Sequence, residues 1–149
     1  MGYLRIYLDN CSYNRPYDDQ NQIKIALEAQ AKLYIQRLIT EKKLDLVFSF
    51  VSRYENSQNP YMVKRSSIED FFKNAVDYID QTNGAAIKKK ALDIMKSDIK
   101  FKDALHLSCA IAGQCKYFIT TDDGIFKYQT TEITICNPMV FIEMIGGKI

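Results

Sequence analysis

Apolar and polar positions change period several times along this chain, and each change marks an element. Leu4 to Leu8 is a short run of leucine, aromatic and β-branched residues broken only by Arg5, and it stops at Asp9-Asn10. That pattern predicts a buried strand running into a polar loop. The loop from Asn10 to Gln20 carries Arg15-Pro16 and Asp18-Asp19, signals for a turn and a helix start. From about Asp19 to Lys43 the period becomes helical. Ile23, Leu27, Ala31, Ile35 and Leu38 recur on one face, widened by Ile25, Ala29 and Leu33. Leu44 to Phe50 is the second strand candidate, and Val51 to Gln58 continues as a short helix that Asn59-Pro60 ends.

Ser67 stands three residues before Asp70, an acidic form of the capping box, and Ile68, Phe71, Phe72, Ala75, Val76 and Ile79 follow at helical spacing. This predicts a helix closed by Thr82-Asn83-Gly84. A further helix is expected from about Ala86 to Lys96, with a break at Ser97-Asp98. Another is expected from Phe101 to Gln114, with Ala104, Leu105, Leu107, Ser108 and Ile111 inward. Tyr117 to Thr120 and Ile133 to Cys136 read as strands. Asn137-Pro138 opens a last helix, asparagine as cap and proline in the first turn. Strands alternating with helices predict one α/β domain over residues 1–149 with a mainly parallel sheet.

Composition narrows the chemistry. The 149 residues include 18 acidic and 20 basic side chains, four cysteines and a single histidine, with a net charge of +2. A two-histidine zinc site is excluded, and bulk charge points to neither a polyanion nor an acidic partner. Cys11, Cys109, Cys115 and Cys136 form no Cys-x-x-Cys pair, so they read as core thiols rather than zinc ligands. No basic-then-apolar leader and no membrane-length apolar run is present. A reduced, cytoplasmic protein without a membrane partner is the expectation. Any catalysis then falls to carboxylates.

In an open parallel sheet, ligands bind beyond the carboxyl ends of the strands. Asp9 follows the first strand, Glu55 follows the second by a short helical stretch, and Asp122-Asp123 follow Thr120. Asp103 begins the helix before that last strand. Each acid has a plain alternative: a turn after a strand for Asp9 and Asp122-Asp123, a surface glutamate for Glu55, a helix-start acid for Asp103. Together they place acids from four segments near one sheet edge. Close carboxylates raise one another's pKa values unless a cation sits among them. All-oxygen donors suit Mg²⁺ or Mn²⁺.

At these residues the chain resembles the PIN-domain family, the fold of VapC-type toxin ribonucleases. The resemblance rests on Ile6-Tyr7-Leu8-Asp9-Asn10-Cys11, on Ser52-Arg53-Tyr54-Glu55-Asn56, on Lys102-Asp103-Ala104-Leu105-His106-Leu107-Ser108-Cys109-Ala110, and on Phe118-Ile119-Thr120-Thr121-Asp122-Asp123-Gly124-Ile125-Phe126. Their order spans almost the whole chain. The resemblance implies a three-layer α/β/α fold and metal-dependent cleavage of RNA phosphodiesters. It implies Asp9, Glu55 and Asp103 as catalytic Mg²⁺ or Mn²⁺ ligands, with Asp123 completing the set in the register Thr121, Asp123, Phe126. Asp122 is the alternative fourth ligand in the register Thr120, Asp122, Ile125. Asn10 and Thr121 would support the site. RNA, an antitoxin protein and a second copy of the chain are the expected partners. The alternative from another class is a PIN-like binding or regulatory module whose acids assemble no working site. A receiver-like phosphoacceptor domain fits poorly, because its early acidic pair and late lysine have no counterparts at the needed strand ends.

Three further features have bland readings. His106, between Leu105 and Leu107, reads as a packing residue with one satisfied nitrogen rather than a catalytic group. Lys88-Lys89-Lys90, with Lys64, Arg65, Lys96 and Lys100, reads as solvated surface or as a phosphate-contacting rim. Tyr13, Arg15 and Tyr17 are candidates for stacking on single-stranded bases.

Overall fold

The structure, a computed structural model, describes residues 4–10 and 23–146. The expectations for Cys11, for Tyr13, Arg15 and Tyr17, and for a helix start near Asp19 lie outside the described residues.

Five strands pair in parallel: β1 (Arg5–Leu8), β2 (Asp45–Ser49), β3 (Asp77–Ile79), β4 (Tyr117–Ile119) and β5 (Thr134–Cys136), in the spatial order β3-β2-β1-β4-β5. Six α-helices lie among the described residues: α1 (Ile23–Thr40), α2 (Phe50–Ser57), α3 (Met62–Phe71), α4 (Gly84–Ile94), α5 (Phe101–Ala112) and α6 (Pro138–Ile145). Strand alternation sorts side chains to two faces, because successive residues of a strand point to opposite sides. Ile6, Leu8, Leu46, Phe48, Tyr117 and Ile119 pack with α1, α3 and α6. Tyr7, Val47 and Phe118 pack with Val51 of α2 and with α4 and α5. The result is a three-layer α/β/α fold, as the sequence predicts, with its sheet parallel throughout.

Three local expectations are corrected. The helix predicted through Ile79 ends at Phe71, and Phe72 to Asn74 form a single 3₁₀ turn. The chain then becomes edge strand β3, with Val47 opposite Asp77 and Ser49 opposite Ile79. The spacing of Phe71, Phe72, Ala75, Val76 and Ile79 imitates a helical face. The Val76 amide nevertheless donates to the Leu46 carbonyl at 2.8 Å, and that sheet bond takes the segment out of the helix. Ser67 is not a cap, since α3 already begins at Met62. Gly84, expected to close a helix, opens α4.

On α1 the apolar stripe is also only partly inward. Ala29, Ala31, Ile35, Leu38 and Ile39 are buried along with Glu28 and Lys32, whereas Ile23, Leu27 and Leu33 are exposed. Other boundaries agree closely. Asp98 breaks the chain in a left-handed conformation (φ 64°), and Asn137 caps α6 by accepting the Val140 amide at 2.8 Å. No helix among the described residues is long and apolar enough to cross a membrane.

Candidate active site

The chain runs from β1 outward to β2 and β3, then returns across the sheet to β4 and β5. The crevice beyond the ends of β1 and β4 is therefore the topological switch point, where parallel sheets bind their ligands. Leu8 and Ile119 are register partners there, so the residues that follow them, Asp9 and Thr120, emerge side by side.

Asp9 is 3% exposed. Its amide donates to the Ile119 carbonyl at 3.2 Å, and its Oδ2 accepts a short hydrogen bond from the Thr120 hydroxyl. Thr120 Oγ1 in turn accepts the Asp122 amide at 2.9 Å. One buried hydroxyl thus ties the loops after β1 and β4 together. Asp122 Oδ1 accepts the Gly124 amide at 2.9 Å and starts a 3₁₀ turn over Asp123–Lys127. Asp123 is exposed within that turn. Ile125 is fully buried and Phe126 is 40% exposed. In the register Thr120, Asp122, Ile125 the hydroxyl bonds Asp9 and the apolar residue lies in the core. Thr121 is buried beside it.

Asp103 lies in the first turn of α5. Its carboxyl is pushed above the ordinary aspartate range, chiefly by burial and then by the negative charges of Asp122 and Asp9; Glu55 adds to the rise and His106 opposes it. Three carboxylates from three other segments of the chain therefore act on Asp103.

Glu55 projects from α2, whose start is set by Ser49. The Ser49 hydroxyl accepts the Val51 and Ser52 amides while Ser52 Oγ accepts the Ser49 amide, a reciprocal cap. Glu55 Oε1 meets His106 Nε2 in a short contact, and Oε2 lies 3.8 Å from Lys102 Nζ. Asn10 hydrogen-bonds through its amide to the Ser52 carbonyl at 3.5 Å. It shares a small polar cleft with Glu55, Gln58, Tyr61 and Lys64. On its other side, Glu55 borders an apolar groove walled by Phe50, Tyr54, Phe101 and Leu105, with Lys102 at the rim.

The donor chemistry suits a hard divalent cation, since oxygen ligands favour Mg²⁺ or Mn²⁺ and opposite charge would relieve the crowded acids. The side chains are nonetheless oriented by hydrogen bonds rather than around a common centre. Among the described residues no three histidine, cysteine, aspartate or glutamate side chains form a group that could hold a metal ion.

His106 corrects the sequence reading in part. It is buried, as a packing residue should be, but both ring nitrogens are engaged. Nε2 faces Glu55, and Nδ1 lies 2.6 Å from the Tyr7 hydroxyl, which is itself 2.6 Å from Ser49 Oγ and 2.9 Å from Ser52 Oγ. The one signal available in the sequence was its place one turn after Asp103. Of the basic residues, Lys64 and Lys102 stand at Glu55, whereas Lys90 pairs with Glu132 and Lys96 with Asp93. Cys109, Cys115 and Cys136 are free, buried thiols, and burial pushes them up to about 11, 12 and 12. At such values they stay protonated and unreactive near neutral pH.

No family model matches the sequence, and no curated protein matches it either. Among solved structures the chain is similar to FitAcB from Neisseria gonorrhoeae, with a TM-score of 0.56 and 17% identity over 90% of this chain and 98% of that one. It is also similar to VapBC2 from Rickettsia felis, solved bound to a DNA fragment from its promoter, with a TM-score of 0.54 and 17% identity over the same shares. At that identity the likeness is one of fold.

Proposed function

We propose that this domain is a PIN-type endoribonuclease dependent on Mg²⁺ or Mn²⁺, acting as the toxin of a toxin–antitoxin pair. The observation that carries the reading is the raised carboxyl of Asp103, lifted by burial and by Asp122, Asp9 and Glu55 at the switch point of a parallel sheet. Asp9, Glu55, Asp103 and Asp122 would hold the ion, with Asp123 the alternative to Asp122. When bound, such an ion supplies a water of lowered pKa and a counter-charge for phosphoryl oxygens. The protein's own part is positional. Thr120 keeps Asp9 turned toward the crevice, and the cap at Ser49 sets the direction of α2 and hence of Glu55. Lys64 and Lys102 flank Glu55 where the phosphates of an RNA strand would pass. The structural likeness to VapBC2 supports the VapC-type part of the reading, in which a separately encoded antitoxin is the partner.

The second reading, an inactive PIN-like module, is favoured by the lack of three side chains in metal-holding geometry among the described residues. Two measurements separate the readings. Asp9→Asn and Asp103→Asn should each abolish metal-dependent cleavage of RNA by the purified chain, while circular dichroism stays that of the parent. Mn²⁺ should raise the melting temperature, because an ion at about 100 times its Kd adds roughly 2.7 kcal/mol to the native state. Full cleavage by both variants would overturn the assignment of Asp9 and Asp103, whereas no cleavage by the parent chain and no melting shift at millimolar Mn²⁺ would leave the module reading standing.

A further inference from the structure

We propose that His106 is a positioning residue that aims the Glu55 carboxylate, held in turn by Tyr7 and the serine cap of α2; this rests on the nuclease reading of the site. The contacts form one buried line. Ser49 and Ser52 lie against the Tyr7 hydroxyl, that hydroxyl lies 2.6 Å from His106 Nδ1, and His106 Nε2 lies against Glu55 Oε1. Tyr7, Ser49, Ser52 and His106 are each at most 2% exposed. Three elements therefore converge on one glutamate: β1 through Tyr7, the β2–α2 junction through the serines, and α5 through His106.

The line takes its polarity from the tautomer of His106. Facing an ionised glutamate, which only accepts, Nε2 is the nitrogen that carries the proton. In the neutral ring Nδ1 is then an acceptor, and the Tyr7 hydroxyl donates to it. The tyrosine oxygen is left to accept from a serine hydroxyl. A flat ring held on both nitrogens, with Tyr7 stacked on Phe118 at 5.4 Å and 9° between planes, has little freedom to turn. Partners of this kind orient the groups that meet a metal and set their basicity. The arrangement also ties Glu55 to Asp103, since His106 follows Asp103 by one turn of the same helix. Any movement of α5 carries the aspartate and the glutamate's anchor together.

The chain has a single histidine, so its ring signals need no assignment. Nitrogen–proton correlation spectra of the metal-free full chain, labelled on histidine, should show Nε2 protonated and Nδ1 bare. Glu55→Gln should shift the Nε2 signal and Tyr7→Phe the Nδ1 signal. A ring protonated on Nδ1, or one indifferent to both substitutions, overturns the proposal. The second arm is Mn²⁺ binding, followed by calorimetry and by RNA cleavage. His106→Leu should weaken binding about tenfold or more, and His106→Gln, which keeps a nitrogen donor near the Nε2 position, should restore most of it. Equal Mn²⁺ requirements for the parent and His106→Leu overturn the proposal. Should His106→Leu fail to fold, Tyr7→Phe decides, since it removes one hydroxyl and leaves the ring stack. A parent chain that neither binds Mn²⁺ nor cleaves RNA defeats the nuclease reading instead, and the spectra then decide alone whether His106 holds Glu55.

Discussion

Asp103 shows at the residue scale what a crowded acidic site costs the fold. Its carboxyl is held above the ordinary value of 3.8, by burial first and by Asp122 and Asp9 next. A group whose pKa is raised on folding favours the native state below its unfolded pKa. That contribution is lost as pH rises through the folded value. At neutral pH the ionised aspartate therefore opposes folding of the metal-free chain. Asp103→Asn keeps the shape and removes the charge. In the presence of a chelator it should melt higher than the parent at pH 7, by a few degrees at most, since about 1 kcal/mol moves a domain of this size by about 2–4 °C. The gap should close as pH falls toward 4. A variant that melts lower at pH 7 would mean that hydrogen bonds to the carboxylate outweigh repulsion. The acids themselves were readable in the sequence, because each sits at a strand or helix end. The partners that orient them were not. Nothing in the local context of Thr120 or His106 says which carboxylate each will meet.

Among the elements, α2 shows how a short helix becomes an instrument for one side chain. It has eight residues, too few for an isolated helix to persist in water. Ser49 makes its start definite by accepting two amides, and the same hydroxyl touches Tyr7. Ser49→Ala should therefore cost more than a surface cap, about 2 kcal/mol, read from the midpoint of urea unfolding. An unchanged midpoint would show that α2 is held by packing alone. The strand-to-helix junction at this point was legible, since the mostly apolar stretch Leu44 to Phe50 passes directly into a helical one. Edge strand β3 was not. Three residues are too few to display alternation, and the preceding phenylalanines carry a helical spacing into it. Only pairing with β2 makes Asp77–Ile79 a strand.

For the whole molecule, the central place of β1 is what assembles the site. Ile6, fully buried on the α1, α3 and α6 side, supports the strand that delivers Asp9. Ile6→Ala should destabilise the chain by about 2–5 kcal/mol, the usual range for emptying a buried aliphatic position, and urea unfolding measures it. A loss well under 1 kcal/mol would mean that the layer collapses onto the gap. The sequence by itself determined the alternation of strands and helices, the α/β class, and the acids at the ends of elements, because period and capping are local properties of neighbouring residues. The tertiary structure alone decided that β4 lies beside β1. That placement brings Thr120 onto Asp9 across 111 positions, and the packing of α5 against α2 brings His106 onto Glu55 across 51. Periodicity tells a residue which face it belongs to, whereas strand order follows from how the crossovers pack, and no short stretch of chain carries that information.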